Sequence, residues 1–359
     1  MIHPIVRQDI RSIAKNIKKE AKALEGKTLL ISGGAGFLGR YIVGTIHHLN
    51  KEYFKKPCTI LVVDNFITGI KNRLYVDGNA QDIKVIEQNV IKPFTVEGPI
   101  DYIIHAAGLA SPVYYQKYPI ETIESAIFGA KNLLELARAK KVKSFLFFSS
   151  SEIYGDPDPN FIPTPETYHG NVSCIGSRAC YDESKRLGET LTMTYHDVYG
   201  IPVKIVRPFN IFGPGMRQDD FRVVPTFIGN ALRGKMLPVH DEGNQTRTFC
   251  YISDATVAFL KVLLSSKKAE VYNVGNDENE INMMSLAQIV AELFDNKIEI
   301  NKIEYPASYP KDEPRRRSPD LTKIRTQLHY RPEVDLRQGL KRTIDWFRAE
   351  TGRSQEKRR

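Results

Sequence analysis

TLLISGGAGFLG, from Thr28 to Gly39, decides how the chain is read, because an apolar run there stops abruptly in glycine. Leu29, Leu30 and Ile31 show no period-two alternation, as expected of a parallel strand buried on both faces. The glycines satisfy two templates at once: Gly34, Gly36 and Gly39 spell GxGxxG, while Gly33, Gly36 and Gly39 spell GxxGxxG. Small residues at these positions let the backbone turn tightly, approach a pyrophosphate and start a helix whose amide dipoles face the phosphate charge. Glycine spacing alone equally fits a plain tight turn. The strand before it, and the helical pattern of Phe37, Leu38, Tyr41, Ile42, Thr45 and Ile46 after it, favour dinucleotide binding.

The full chain of 359 residues is 42% hydrophobic, enough for one large α/β domain or two modest ones, and disorder as the main state is excluded. A net charge of +9 would suit a nucleic-acid binder, but the basic residues are spread and gather partly at the termini. No zinc-finger or RNA-recognition pattern accompanies them, so no nucleic-acid partner is expected. The charge fits attraction of an anionic small molecule instead. Cys58, Cys174, Cys180 and Cys250 lack CxxC spacing and read as reduced thiols of a cytoplasmic protein, with no metal site. Neither a signal peptide nor a membrane span is expected.

Residues 1–26 form a basic segment whose Ile10, Ile13, Ala14, Ile17, Ala21 and Leu24 make one apolar helical stripe, with Lys15, Lys18, Lys19 and Glu20 on the remainder. The stripe suits docking on the protein's own body or a second subunit; a membrane surface is disfavoured by the lack of aromatic anchors. Residues 27–208 alternate strands (28–32, 58–64, 83–87, 101–105, 144–149, 203–207) with helices near 37–49, 119–139 and 180–199, the pattern of a doubly wound, Rossmann-like parallel sheet. Residues 209–350 carry shorter elements, including helices near 223–233 and 284–295 and a strand near 271–276. They predict a smaller C-terminal substrate lobe able to return a strand to the main sheet. Residues 351–359 read as a polar, frayed tail.

Asp64 closes the strand CTILVVD 28 residues after Gly36, where an acid accepts from both ribose hydroxyls and repels a 2′-phosphate. That selects NAD over NADP, although an acid at a strand end also serves as a turn former. The expected cofactor site comprises Gly33, Gly36, Phe37, Leu38, Gly39, Asp64 and Asn65, with Asn89 and Val90 at the adenine edge and Ala106 and Ala107 in a small-residue turn. His105, at a strand end, reads as a structural hydrogen-bonding residue.

Tyr181 and Lys185 form a YxxxK pair in YDESK and project from one helix face. An ammonium beside a phenol lowers its pKa, so that the Tyr can take a hydroxyl proton while hydride leaves the same carbon. Ser149, Ser150, Ser151 and Glu152 end the fifth predicted strand, on the side of a parallel sheet where ligands bind. The expected catalytic set is Ser150, Tyr181 and Lys185.

The glycine loop, DNFITG (64–69), SSSEIYGDP (149–157), RACYDESKR (178–186), FNIFGP (209–214), RVVPTFI (222–228) and QTRTFCYISD (245–254) resemble the extended short-chain dehydrogenase/reductase family. The likeness is strongest to its UDP-glucuronate decarboxylase branch and runs from about Lys27 to about Phe347. It implies NAD, a homodimer built on the helices near 119–139 and 180–199, and oxidation at C4, loss of CO2 and re-reduction to UDP-xylose. Glu152 matches the decarboxylase acid, with Ser151 where a 4,6-dehydratase would carry Asp, and Arg317 in RRRSPD matches an arginine of the same branch; the resemblance adds both to the catalytic set, at the carboxylate end of the substrate, Arg317 as a planar cationic fork. Cofactor contacts extend to Tyr181 and Lys185; the substrate set implied is Ser111, Tyr115, Ser151, Arg178, Asn210, Arg222, Val223, Arg247 and Arg317. Departures include Asn89 in place of the usual acid, Ala126 in place of asparagine, and Gly215, Arg217, Phe221, His240 and Asp241 on the substrate side. The alternatives are a 4-epimerase of a nucleotide sugar or uronate and a non-catalytic NAD(H)-binding protein.

Overall fold

The computed structural model describes residues 2–356 apart from Asn72, Asn79, Asn279 and residues 306–313. Seven strands form one parallel sheet in the order Glu270–Val274, Val203–Pro208, Ser144–Phe148, Tyr102–His105, Thr28–Ser32, Thr59–Asp64 and Ile83–Glu87. Thr28–Ser32 lies between Thr59–Asp64 and Tyr102–His105, so the chain leaves it in opposite directions and opens a crevice at the carboxyl ends of the strands. Leu29, Leu30 and Ile31 are fully buried, as expected of a strand covered on both faces.

The strand Glu270–Val274, from the stretch 209–350, pairs with Val203–Pro208 in the main sheet. The helix that carries the chain back to it, Ile252–Leu264, was not among those expected. It is buried almost all round, from Ile252 through Leu263, so it shows no apolar stripe to a periodicity reading. The last helix, Leu336–Glu356, runs into the segment expected to be a polar tail; residues 357–359 lie outside the described residues.

The N-terminal segment docks on the protein's own body. Its helix Pro4–Asn16 packs against Phe37–Glu52 and Ile252–Leu264, burying Val6, Ile10, Ile13 and Ala14. Each large aliphatic side chain removed from water there contributes roughly 1.5–3 kcal/mol. One carboxylate pins the helix. Asp9, 1% exposed, accepts from the Tyr41 and Tyr251 hydroxyls at 3.2 and 2.9 Å and pairs with Arg342 at 2.6 Å. Burial raises the Asp9 pKa to about 6, Arg342 and both hydroxyls opposing the rise.

Asp9→Ala would strand two buried hydroxyls and a guanidinium, so a loss of roughly 2–3 kcal/mol in urea unfolding is expected. An unchanged midpoint would mean that the node does not hold the helix.

Candidate active site

The glycine loop is built around close backbone approach. Gly33 adopts φ +73°, and a Cβ there would lie 2.7 Å from the Ala107 amide nitrogen and 2.8 Å from the Ala106 carbonyl. A Cβ on Gly39 would fall 2.3 Å from the Gly33 carbonyl oxygen. Gly36 is the N-cap of Phe37–Glu52, with Phe37 and Leu38 in the first turn, so unpaired amides and the helix dipole face the crevice. Asp64 fixes the loop from the neighbouring strand, accepting from the Ala35 and Phe66 amides at 3.0 and 2.8 Å.

A cleft opens beside this loop. Gly33, Gly36, Asp64, Asn65, Asn89, Val90, Ala106 and Ala107 all line it. Ile67, Thr68, Gln88, Leu109, Glu121 and Ser125 line it too and had not been singled out. Gln88 sits beside Asn89 at a strand end, the one among them that position alone could have suggested. His105 is structural: it is buried, with Nδ1 2.8 Å from the Ser32 hydroxyl and Nε2 3.1 Å from the Ser125 carbonyl. Burial, with Lys185 adding to it, lowers its pKa to about 3 and keeps the ring neutral.

Next to the cleft stand the expected reactive residues. Ser150 follows the strand Ser144–Phe148, and its hydroxyl accepts from the Glu152 amide at 3.2 Å and favours the ionised form of the Tyr181 phenol. Tyr181 comes from the helix Ala179–Tyr199 and is stacked on Tyr115, ring centroids 5.4 Å apart. Lys185 lies one turn on and donates to the Phe148 carbonyl at 2.8 Å, its ammonium 5.8 Å from the centre of the Tyr181 ring. This corrects the expected electrostatics. Burial pushes the phenol up to about 12, Ser150 opposing it and Glu152 and Asp182 adding to it, while burial lowers Lys185 to about 8.

Arg317 also differs from expectation. Its guanidinium does not offer an open fork, because it grips Glu152 in two bonds of 2.5 and 2.7 Å. Arg178 reaches the same carboxylate with Nη2 and Asp182 with Nε, the latter at 3.4 Å. Burial alone would raise the Glu152 pKa, but Arg317, Arg178 and Arg247 together hold it at about 2. Glu152 is thus a fixed carboxylate, and the buried Ser151 starts the short turn that carries it.

The remaining substrate-side residues divide into two groups. Arg222 pairs with buried Asp220, Nε at 3.0 Å from each oxygen, and Ser111 donates to Asp220 at 3.4 Å; Val223 begins the helix that follows. Arg222 acts electrostatically on both Tyr181 and Glu152, which places it at the same site. Asp220 had escaped the sequence reading, although it stands two residues before Arg222. Asn210 and Arg247 instead organise backbone: Asn210 donates to the Thr248 carbonyl at 2.8 Å, and Arg247 to the Pro314 carbonyl at 2.6 Å and the Thr246 carbonyl at 2.8 Å. They support the strand Arg316–Arg317, which pairs in parallel with Thr246–Arg247.

Residues 29–275 match the family model described as the NAD dependent epimerase/dehydratase family. The chain belongs to that family. It is 40% identical to UDP-glucuronic acid decarboxylase 5 of Arabidopsis thaliana, over 90% of each chain. It is 38% identical to UDP-glucuronic acid decarboxylase 1 of Xenopus tropicalis, over 90% of this chain and 73% of that one. Among solved structures, UDP-glucuronic acid 4-epimerase from Bacillus cereus in complex with UDP-glucuronic acid and NAD superposes with a TM-score of 0.72 at 24% identity, covering 90% of this chain and 99% of that one. That likeness shows the fold. NAD is the family's cofactor, and the glycine cradle, Asp64 and the cleft beside them fit it.

Gly33→Ala forces a Cβ against the Ala106–Ala107 backbone, so NAD affinity is expected to fall at least tenfold, read by titration of tyrosine and tryptophan fluorescence. Unchanged affinity would reject the cradle.

Proposed function

We propose that the protein decarboxylates UDP-glucuronate to UDP-xylose through a 4-keto intermediate. The observation that carries this reading is the meeting of Glu152 and Arg317, 165 positions apart, at the Ser150–Tyr181 pair. Curated relatives named UDP-glucuronic acid decarboxylase, alike over nine-tenths of the chain, support it.

Bound NAD would supply the acceptor for the C4 hydride and return that hydride at the end. Gly33, Gly36, Gly39 and the first turn at Phe37 and Leu38 would hold its phosphates, Asp64 and Asn65 its ribose, Asn89 and Val90 the adenine edge, and Ala106 and Ala107 its flank. Tyr181 takes the C4 hydroxyl proton as its phenolate, the form that burial opposes and that Ser150 and the Arg222 charge favour. The ketone that results is β to the C5 carboxylate, so the electron pair released with CO2 flows into an enolate. Tyr181 and Ser150 then donate to that oxyanion. Glu152, ionised throughout, serves as an acceptor that orients a ring hydroxyl or water. Arg178, Arg222 and Arg317 give the cleft the positive charge that a substrate with a diphosphate and a carboxylate needs. Ser111, Tyr115, Ser151 and Val223 complete the substrate side, with Asn210 and Arg247 holding the backbone around the strand Arg316–Arg317.

We also infer a homodimer located in the cytoplasm. Pro119–Lys140 and Ala179–Tyr199 pack together and expose Ile120 (62%), Phe128 (51%), Leu187 (53%) and Val198 (63%), an apolar surface that a second copy would cover. Four free cysteines accord with a reducing compartment, and no helix among the described residues is long and apolar enough to cross a membrane.

Incubation with UDP-glucuronate and catalytic NAD is expected to release CO2 and yield a pentose nucleotide by NMR. A product that keeps the carboxylate would make the protein a uronate 4-epimerase instead. Tyr181→Phe should lower kcat by about a hundredfold or more; parental turnover would remove Tyr181 from the mechanism. Sedimentation at micromolar concentration should give a dimer, with Leu187→Glu shifting it to monomer; a purely monomeric parent protein would reject the interface.

A further inference from the structure

Decarboxylation of a carboxylate consumes one proton per turnover. The bond between C5 and the carboxyl carbon breaks, its electron pair forms the C4–C5 enolate, and CO2 leaves uncharged. C5 must then gain a proton. Tyr181 cannot be its net source, because the proton that it takes at the C4 hydroxyl is returned there on reduction. Glu152 cannot either, since Arg317 and Arg178 keep it ionised.

One more buried carboxyl stands beside them. Asp182 follows Tyr181 in the first turn of Ala179–Tyr199 and is 5% exposed. Its Oδ2 meets Arg178 Nε at 3.4 Å, the arginine that it shares with Glu152, and its Oδ1 is buried without a hydrogen-bond partner. A buried carboxylate oxygen with no donor is unfavourable as an anion, whereas a protonated carboxyl tolerates that site. The charged groups that face it agree. Glu152, from the turn after the fifth strand, repels a second negative charge, while Arg178 at the N-cap of its helix and Arg317 on the strand Arg316–Arg317 are already engaged by Glu152. Burial first, then Glu152, raises Asp182 to about 7.

We propose that Asp182 is the proton store of this site, giving up through a water oriented by Glu152 the proton that forms the C5–H bond. The inference rests on the decarboxylase reading. Asp182 acts through Glu152 and is a positioning and proton-holding residue, not one that touches the sugar. After each turnover it is left as a carboxylate and regains its proton from solvent. An incoming uronate adds a further negative charge beside Glu152, which favours the protonated form of Asp182 just when the proton is needed.

The test is single-turnover absorbance of reduced nicotinamide, with CO2 release measured in parallel on the holoenzyme. If the parent protein releases no CO2 from UDP-glucuronate, the functional reading fails, whatever Asp182 does. Given release, Asp182→Asn should form reduced nicotinamide within about twofold of the parental rate but consume it about tenfold more slowly. In the parent, consumption should slow as pH rises through about 7. That dependence should be lost in Asp182→Asn and regained in Asp182→Glu. A merely structural role would leave the pH profile in place. Parental consumption and pH dependence in Asp182→Asn would overturn the proposal. Should that variant not fold, a parental consumption rate independent of pH between about 6 and 9 would overturn it equally.

Discussion

Arg207 is the constraint on which the site depends. It lies on the strand Val203–Pro208, and its guanidinium grips Glu189 with bonds of 2.8 and 2.6 Å. Its remaining nitrogen donates to the Tyr154 hydroxyl at 2.7 Å and the Glu166 carbonyl at 3.0 Å. Glu189 is one turn beyond Lys185 on the helix that carries Tyr181, and Tyr154 ends the turn that carries Glu152. A single buried charge therefore ties both sources of reactive side chains to the sheet. Tyr154 passes the connection to Asn273 at 2.7 Å, and Asn273 donates to the Thr164 carbonyl at 2.9 Å and the Asp320 carbonyl at 3.2 Å, close to Arg317. Burying a guanidinium is tolerable only when its fork is filled, and here every arm has a partner.

The parts of this arrangement that were legible in the sequence are those governed by local spacing. The glycines at 33, 36 and 39, the strand before them and Asp64 at the end of the next strand are each set by chain geometry over a few residues, and Gly33, Gly36 and Asp64 line one cleft. Ser150 and Tyr181 could be paired in advance because parallel sheets present ligands at the carboxyl ends of strands. The helix Ile252–Leu264 could not be seen, because a helix apolar on every side has no periodic signature. Nor could the docking node at Asp9. A lone acid on an apolar stripe looks like a solvated exception until Tyr41, Tyr251 and Arg342 close around it.

Acidity was the least legible property. The YxxxK spacing suggested a phenol lowered by an ammonium, but the Lys185 ammonium is directed to the Phe148 carbonyl, and burial with two carboxylates raises the phenol. A pKa sums desolvation and every nearby charge, many of them distant in sequence, so no local motif fixes it. Arg317 shows the same limit. Its residue type predicted a carboxylate partner correctly, but the partner is the protein's own Glu152.

That pairing bears on how a carboxylate could be made to leave. An arginine fork closed on a uronate would stabilise the anion and oppose loss of neutral CO2. With Glu152 filling the fork of Arg317 and one arm of Arg178, an incoming carboxylate finds a positive region whose best hydrogen-bonding geometry is already taken. Attraction over several ångströms survives, because charge acts at a distance, while the directional bonds that would trap the ground state are withheld. Departure of CO2 then removes negative charge from a place already holding the Glu152 carboxylate, and moves electron density toward Ser150 and Tyr181, where hydrogen-bond donors stand. The same arginines that draw the substrate in are thus kept from holding its reacting group by the carboxylate that shares them.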